Sequence, residues 1–138
     1  MGPFPHDAPT AVISADNPAG TDGFEFVEFA HPEPEKLEEL FSRMGYSKVA
    51  THRTKAISVW RQGDINYIVN AEPGSHAMMF ADKHGPCAAS MAWRVVDAKH
   101  AFDHAVSKGA TPYEGDDKAL DVPAIVGMGF ACQIAQSE

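Results

Sequence analysis

The side chains of this sequence that could perform chemistry are its histidines, its cysteines and two closely spaced glutamates. His100 and His104 have i, i+4 spacing on a predicted helix, which is the geometry of half a zinc site. The intervening residues lack the glutamate of an H-E-x-x-H motif, and both histidines fall opposite the apolar stripe of the helix. A solvated helix face is therefore the favoured interpretation.

Glu25 and Glu28 lie in the segment FEFVEFA, whose alternation predicts a β-strand. Because side chains alternate between the two faces of a strand, one glutamate must point inward or at a sheet edge. Glu28 shares a face with Phe26, so it is the better candidate for a pocket or for a hydrogen-bonding role. A buried glutamate needs a partner. A salt bridge to Arg61 or Arg94 is the favoured alternative.

The remaining reactive side chains do not form a recognisable catalytic set. Cys87 and Cys132 have no Cys-His-acid arrangement that the sequence can assemble, and we interpret them as small buried apolar residues. The histidines outside the helix, including His31 and His52, fall in predicted loops or at strand edges. Nucleotide-binding loops and G-x-S-x-G motifs are absent from the sequence. The aromatic residues predict core or sheet packing: Phe24, Phe26, Phe29, Trp60 and Trp93.

Composition restricts the class of protein. The chain has 138 residues and a formal net charge of −8, which argues against nucleic acid as a partner. The sequence contains no apolar run near the ~18 residues that span a bilayer. Its first residues lack the basic and apolar regions of a secretory signal. With two cysteines as well, we expect a cytoplasmic protein with reduced thiols.

The elements that must position these residues begin after a predicted mobile arm, residues 1–19, which is rich in proline and alanine. A strand is predicted over 24–30 and a helix over 34–44. The helix has an apolar stripe with i, i+3, i+4 and i+7 spacing, and Gly45 ends it. Three short strands are then predicted: 46–51, 56–61 and 65–70.

The same order repeats after a long connection in which Ser75 precedes a short predicted helix at Met78–Phe80. A strand is predicted over 88–96. Asp97 is suited to be the N-cap of a helix over 97–108, which Gly109 ends. Weaker strands follow at 111–113, 121–125 and 131–135. We therefore predict an α+β domain over 20–138, built from two βαβββ modules side by side, with helices covering the outer faces of a curved sheet. The modules cover about 20–71 and 87–138.

A doubled βαβββ unit resembles the vicinal-oxygen-chelate (glyoxalase, bleomycin-resistance and extradiol dioxygenase) superfamily. Four stretches resemble, more narrowly, the amino-terminal domain of bacterial 4-hydroxyphenylpyruvate dioxygenases: GFEFVEFAHPEP, MGYSKVATHRTK, WRQGDINYIVNAEPGSHA and HGPCAASMAWRVVDA. The resemblance covers about Asn17 to Val126. The related 4-hydroxymandelate synthases share fold and substrate, so they remain an alternative.

The resemblance implies a chemistry that these residues do not supply. The family converts 4-hydroxyphenylpyruvate to homogentisate with Fe(II) and O₂ in tyrosine catabolism, and iron needs two histidines and a carboxylate. The ligand pattern of the family falls on Phe26, Ser90 and Gln133 of this chain. None of them is a histidine or a carboxylate. We therefore expect no catalytic, cofactor-binding or metal-binding residue in this chain, with Glu28 as a possible pocket residue.

Family chains continue into a longer domain, so the resemblance implies a missing carboxy-terminal catalytic domain as partner. It also implies a homo-oligomer. Exposed residues at Met78–Phe80 are candidates for an interface with a partner domain or with another subunit. We expect this chain to be a scaffold and oligomerisation domain that is inactive alone. Two alternatives stay open. One is a free-standing glyoxalase-type or bleomycin-resistance-type binding protein, and the other is a metal enzyme with different ligands.

Overall fold

The structure, a computed structural model, describes residues 6–7, 9–115, 118, 121–126 and 131–136, with backbone alone for 131–133 and 136. Residues 1–5 and 8 of the predicted arm lie outside this part. The described elements, in chain order, are β1 (Thr21–Ala30), α1 (Pro34–Arg43), β2 (Ser47–Thr51), β3 (Ile57–Gln62), β4 (Ile65–Asn70), α2 (His76–His84), β5 (Cys87–Val95), α3 (Ala98–Ser107), β6 (Ala124–Val126) and β7 (Ala131–Gln136). They confirm the predicted α+β class and all three predicted helices.

The chain divides into two compact units, Phe26–Ser90 and the combination of Met1–Glu25 with Met91–Glu138. In the first unit the strands lie in the order β2-β3-β4-β1, with β1 parallel to β4 and with both β2 and β4 antiparallel to β3. In the second unit the order is β1-β5-β7-β6, with β6 and β7 antiparallel. None of the described helices has the length and apolar character needed to cross a membrane.

Helix α1 forms one wall of the core of the first unit. Pro34 is tolerated at its start because the first turn needs no backbone N–H donor. Leu37 and Phe41 are buried and pack with a mostly aromatic cluster. The members of that cluster are Tyr46, Trp60 and Val69, with Phe29 and Tyr67 at its margin.

Helices α1 and α3 end in the same backbone conformation. After α1, Gly45 has a φ of 93°, and the N–H groups of Gly45 and Tyr46 donate to the carbonyls of Ser42 and Phe41. After α3, the glycine has a φ of 97°, and the backbone donors pair in the same way. This is the Schellman arrangement, which favours glycine because an L side chain is strained at positive φ. The recurrence supports the predicted internal repeat.

The predicted N-caps are confirmed for α2 and α3. The Ser75 hydroxyl accepts from Met78 N at 3.2 Å, and the Asp97 carboxylate accepts from His100 N at 2.9 Å. Each bond satisfies one of the backbone donors that a helix start leaves open. Helix α2 packs its alanines against β1 and β5 in a small cluster of Ala30, Ala77, Ala81 and Ala89.

Two sequence expectations need correction. The strand predicted over 111–113 is reduced to an isolated bridge between Pro112 and Ile125, since proline has no N–H to extend a ladder. The apolar stripe of α1 is also only half buried, because Leu40 and Met44 are 48% and 49% exposed.

Strand β2 forms the outer edge of the strand order in the first unit, and all five of its residues are exposed. Its pairing with β3 shifts register between Lys48 and Ala50, which marks a β-bulge or similar irregularity. The Lys48 ammonium lies 2.7 Å from a Glu38 carboxylate oxygen and 5.2 Å from the Trp60 ring centroid.

Two leucines of α1 provide a matched test of this core. Leu37→Ala should lower the free energy of unfolding by about 2–5 kcal/mol, because it leaves a cavity among the aromatic rings. Leu40→Ala, the same change one turn later on the half-exposed side, should cost less than about 1 kcal/mol. Urea denaturation followed by circular dichroism measures both, and equal losses would contradict the packing described.

Candidate functional site

The positions on which the family resemblance places the ligand pattern are buried or lie on β7. Phe26 on β1 and Ser90 on β5 are 2% and 4% exposed. The backbone of Gln133 pairs with Ala124, and its side chain lies outside the described part of the chain. Phe26 and Ser90 both belong to the unit Phe26–Ser90.

Glu28 is the centre of the polar cluster in this unit. Its side chain is buried, and its carboxylate accepts two side-chain hydrogen bonds. The Asn70 amide donates to Oε1 at 2.6 Å, and the Ser90 hydroxyl donates to Oε2. Hydrogen bonds to a charged acceptor are stronger than neutral ones, and they offset part of the cost of removing the carboxylate from water.

Asn70 extends the cluster toward α2. Its amide oxygen accepts from Glu72 N at 3.0 Å and lies 3.5 Å from the Ser75 hydroxyl, which caps α2. The Glu72 carboxylate in turn accepts from Ala56 N at 2.6 Å. Polar contacts therefore run from the carboxylate of Glu28 on β1 to the connection between β4 and α2.

The arginines considered as partners of Glu28 have other contacts. Arg61 Nε donates to Asn66 Oδ1 at 2.7 Å. In the other unit, Arg94 Nε donates to Asp22 Oδ1 at 2.6 Å. Glu25 also approaches Arg94, with a closest nitrogen–oxygen distance of 3.9 Å.

Both glutamates of the first strand are buried, so Glu25 as well as Glu28 points away from solvent. Two positions before Glu25, Gly23 has a φ of 137°. A side chain at Gly23 would meet Arg94 Nη2 at 3.0 Å from its Cβ. The glycine thus leaves room for Arg94 beside Asp22.

Sequence reasoning missed Asn66 and Asn70. These residues lie four positions apart on β4 and therefore on one face, and both are buried. Two polar residues on the same face of an otherwise apolar strand are the pattern that could have identified them. Buried amides require hydrogen-bond partners, and Arg61 and Glu28 supply them here.

The histidines and cysteines lie apart from this cluster. His100 Nε2 lies 2.8 Å from the carbonyl oxygen of Pro18, and the rings of His100 and His104 are 6.4 Å apart. His31 Nδ1 accepts from a backbone N–H in the turn before α1. Cys87 is only partly buried, which corrects its interpretation as a buried residue. This partial burial raises the pKa of the Cys87 thiol, and the charge of Glu28 raises it further. The side chain of Cys132 lies outside the described residues.

The donor set at these positions does not fit a ferrous ion. Phe26 has no donor atom, and the Ser90 hydroxyl is engaged by Glu28. Glu28 offers one carboxylate but no imidazole beside it, whereas Fe(II) oxygenases use two histidines and one carboxylate. Among the residues whose side chains are described, no three histidine, cysteine, aspartate or glutamate residues are grouped for a metal. What the cluster can do is hold a buried negative charge.

Comparison with known proteins gives the family. Residues 15–134 match the sequence model described as "Hydroxyphenylpyruvate dioxygenase, HPPD, N-terminal". The chain therefore belongs to the family of 4-hydroxyphenylpyruvate dioxygenase amino-terminal domains. It is 48% identical over 118 residues to a 4-hydroxyphenylpyruvate dioxygenase of Pseudomonas sp. (strain P.J. 874), which covers 84% of this chain and 33% of that protein.

A second relative is the hemolysin VllY of Vibrio vulnificus, with 46% identity over 123 residues, 86% of this chain and 34% of that protein. The chain thus spans about a third of the length of these curated relatives. Among solved structures, a xylose isomerase-like TIM barrel/4-hydroxyphenylpyruvate dioxygenase fusion protein superimposes with a TM-score of 0.77 at 31% identity. That match covers 94% of this chain and 20% of the fusion protein. The fold is that of the glyoxalase-like proteins.

Two asparagines of β4 allow a matched test of the buried charge. Asn70→Asp places a second carboxylate 2.6 Å from Glu28 and should lower the free energy of unfolding at pH 7 by roughly 3–5 kcal/mol. Asn66→Asp places the same group 2.7 Å from the Arg61 guanidinium and should cost much less.

The pH dependence separates these effects further. In Asn70→Asp the folded carboxylate pair binds a proton more tightly than the unfolded chain does. Its stability deficit should therefore grow as pH rises above about 4 and shrink below it. Urea denaturation between pH 4 and 8 measures this. A deficit that does not vary with pH, or equal deficits in the two variants, would argue against a charged Glu28 beside Asn70.

Proposed function

We propose that this chain is the amino-terminal, non-metal domain of a 4-hydroxyphenylpyruvate dioxygenase-like protein. The whole protein would convert 4-hydroxyphenylpyruvate to homogentisate with Fe(II) and O₂, in the cytoplasm and as part of tyrosine catabolism. The family match over residues 15–134 supports this proposal, as does the dioxygenase relative at 48% identity. Because those relatives are about three times longer, a second domain is proposed as the catalytic partner.

The observation that carries this proposal is the hydrogen bond of Ser90 to Glu28. A residue at a ligand-equivalent position serves here as a donor inside a buried polar cluster. The neighbouring ligand-equivalent residue, Phe26, is packed in the interior. We therefore assign the cluster a structural role and place iron, oxygen and substrate in the partner domain. No metal or cofactor is proposed for this chain alone.

The domain organisation is part of the same proposal. An arm over 1–19 would precede one vicinal-oxygen-chelate domain over 20–138, with modules of about 20–71 and 87–138. The recurring Schellman endings at Gly45 and Gly109 support two modules of one kind. Neither nucleic acid nor a membrane is proposed as a partner, since the net charge is −8.

The activity of the separated chain tests this assignment. Purified and supplied with Fe(II), ascorbate and 4-hydroxyphenylpyruvate, it should consume no oxygen above background in an oxygen-electrode assay. Joining it to the carboxy-terminal domain of the Pseudomonas relative should give activity, because that domain is expected to bring all three iron ligands. The product separates the two related activities, homogentisate for the dioxygenase and 4-hydroxymandelate for the synthase. Homogentisate formed by the 138-residue chain alone would overturn the proposal.

Self-association is a further element of the proposal. Leu40 and Met44 expose apolar surface one turn apart on α1, and Met79 on α2 is 58% exposed. Apolar surface of this kind tends to be covered by a partner.

Light scattering of the isolated chain should give the mass of a dimer or a larger oligomer. Leu40→Lys should shift the equilibrium toward monomer, with Val12→Lys as the control. A clean monomer at high concentration would count against it.

A further inference from the structure

A cavity of about 280 Å³ lies beneath α3 in the unit formed by Met1–Glu25 and Met91–Glu138. Two alanines, Ala101 and Ala105, present nothing larger than a methyl group from the helix. They are one turn apart and therefore share a face of the helix. Trp93 and Val95 on β5 also line the cavity, as do Ile125 on β6 and Ile134 on β7. The described lining is thus small on the helix and larger on the strands.

The size and lining of this cavity suit a small ring. An apolar cavity of about 150 Å³ in another protein stays dry and binds benzene. This cavity is nearly twice that volume, which leaves room for a substituted six-membered ring. The described side chains that line it carry no charge, so none of them can form an ion pair with a carboxylate or a phosphate. An uncharged occupant is therefore favoured over an anionic substrate of the proposed enzyme.

Thr21 is the polar residue among the described residues that line the cavity, so one side of the cavity can form a hydrogen bond. The Thr21 hydroxyl donates to Asn17 Oδ1 at 3.2 Å, and the backbone of Thr21 is held by two more hydrogen bonds with Asn17. A hydroxyl that donates in this way retains lone pairs that can accept a hydrogen bond. Thr21 is exposed, and Trp93 is partly exposed and lies against Phe24 with ring centroids 4.4 Å apart. Of the residues that line the cavity, Thr21 and Trp93 therefore place a polar acceptor and an aromatic surface on its solvent-facing side.

We propose that this cavity binds a small, uncharged ring compound that carries one hydroxyl or amine donor. The ring occupies the space between α3 and β5, and its donor bonds to the oxygen of Thr21. Binding of this kind is separate from the chemistry proposed for the partner domain, because it needs neither iron nor a carboxylate on the ligand.

Two fluorinated probes of equal shape test the proposal on the full 138-residue chain. In ¹⁹F NMR titrations, 4-fluorophenol should bind with a dissociation constant on the order of 1 mM, and 4-fluorotoluene should bind several-fold more weakly. Thr21→Val removes the acceptor at nearly constant shape. It should reduce the affinity for 4-fluorophenol to that for 4-fluorotoluene and leave the latter unchanged.

Filling the cavity is the second arm of the experiment. Ala105→Leu and Ala105→Met place side chains into the space and should each abolish binding of both probes. Ala50→Leu, on the exposed strand β2, is the matched control and should bind as the unaltered chain does. Circular dichroism verifies that each variant is folded.

The proposal is overturned if neither probe binds at about 10 mM, a concentration that detects the weakest affinity expected for such probes. It is also overturned if the filled variants still bind. Equal effects of Thr21→Val on the two probes would overturn the role of the donor.

Discussion

A carboxylate removed from water must be given hydrogen-bond donors, and in the unit Phe26–Ser90 this requirement is met at Glu28. Its two oxygens are satisfied by donors from β4 and β5, so the side chains of three strands are fixed at one point. Asn70 then uses its remaining oxygen on the backbone of the next connection. The apolar clusters on either side could tolerate small shifts, whereas this polar cluster specifies one register.

The predictable part of the fold is the part encoded by local patterns. The helix endings at Gly45 and Gly109 and the caps Ser75 and Asp97 depend on a few neighbouring residues, and all four are confirmed. The face of Glu28 followed from strand alternation. Its partners Asn70 and Ser90 are 42 and 62 positions away, a separation at which no local pattern operates. The burial of both Glu25 and Glu28 does not follow from the alternation, which assigns the two residues to opposite faces of the strand.

In the two units, the helix packs against the strands with different side chains. In the first, α1 meets the sheet with leucine and phenylalanine, and the aromatic rings pack at centroid distances of 4.5–6.3 Å. In the second, α3 presents mostly alanine, and a space remains between the helix and the strands. Similar backbone endings therefore accompany different side-chain packing. A duplicated module can keep its local geometry while its two interiors diverge.

The exposed edge formed by β2 affects how folded copies of the chain can associate. An unpaired strand is a template on which other chains can stack into fibrils. The register shift between Lys48 and Ala50 interrupts the straight row of donors and acceptors that such stacking needs. The Lys48 ammonium also brings a charge to this edge, where a growing fibril would have to desolvate it. The register shift and the lysine therefore both oppose edge-to-edge pairing of two copies along β2.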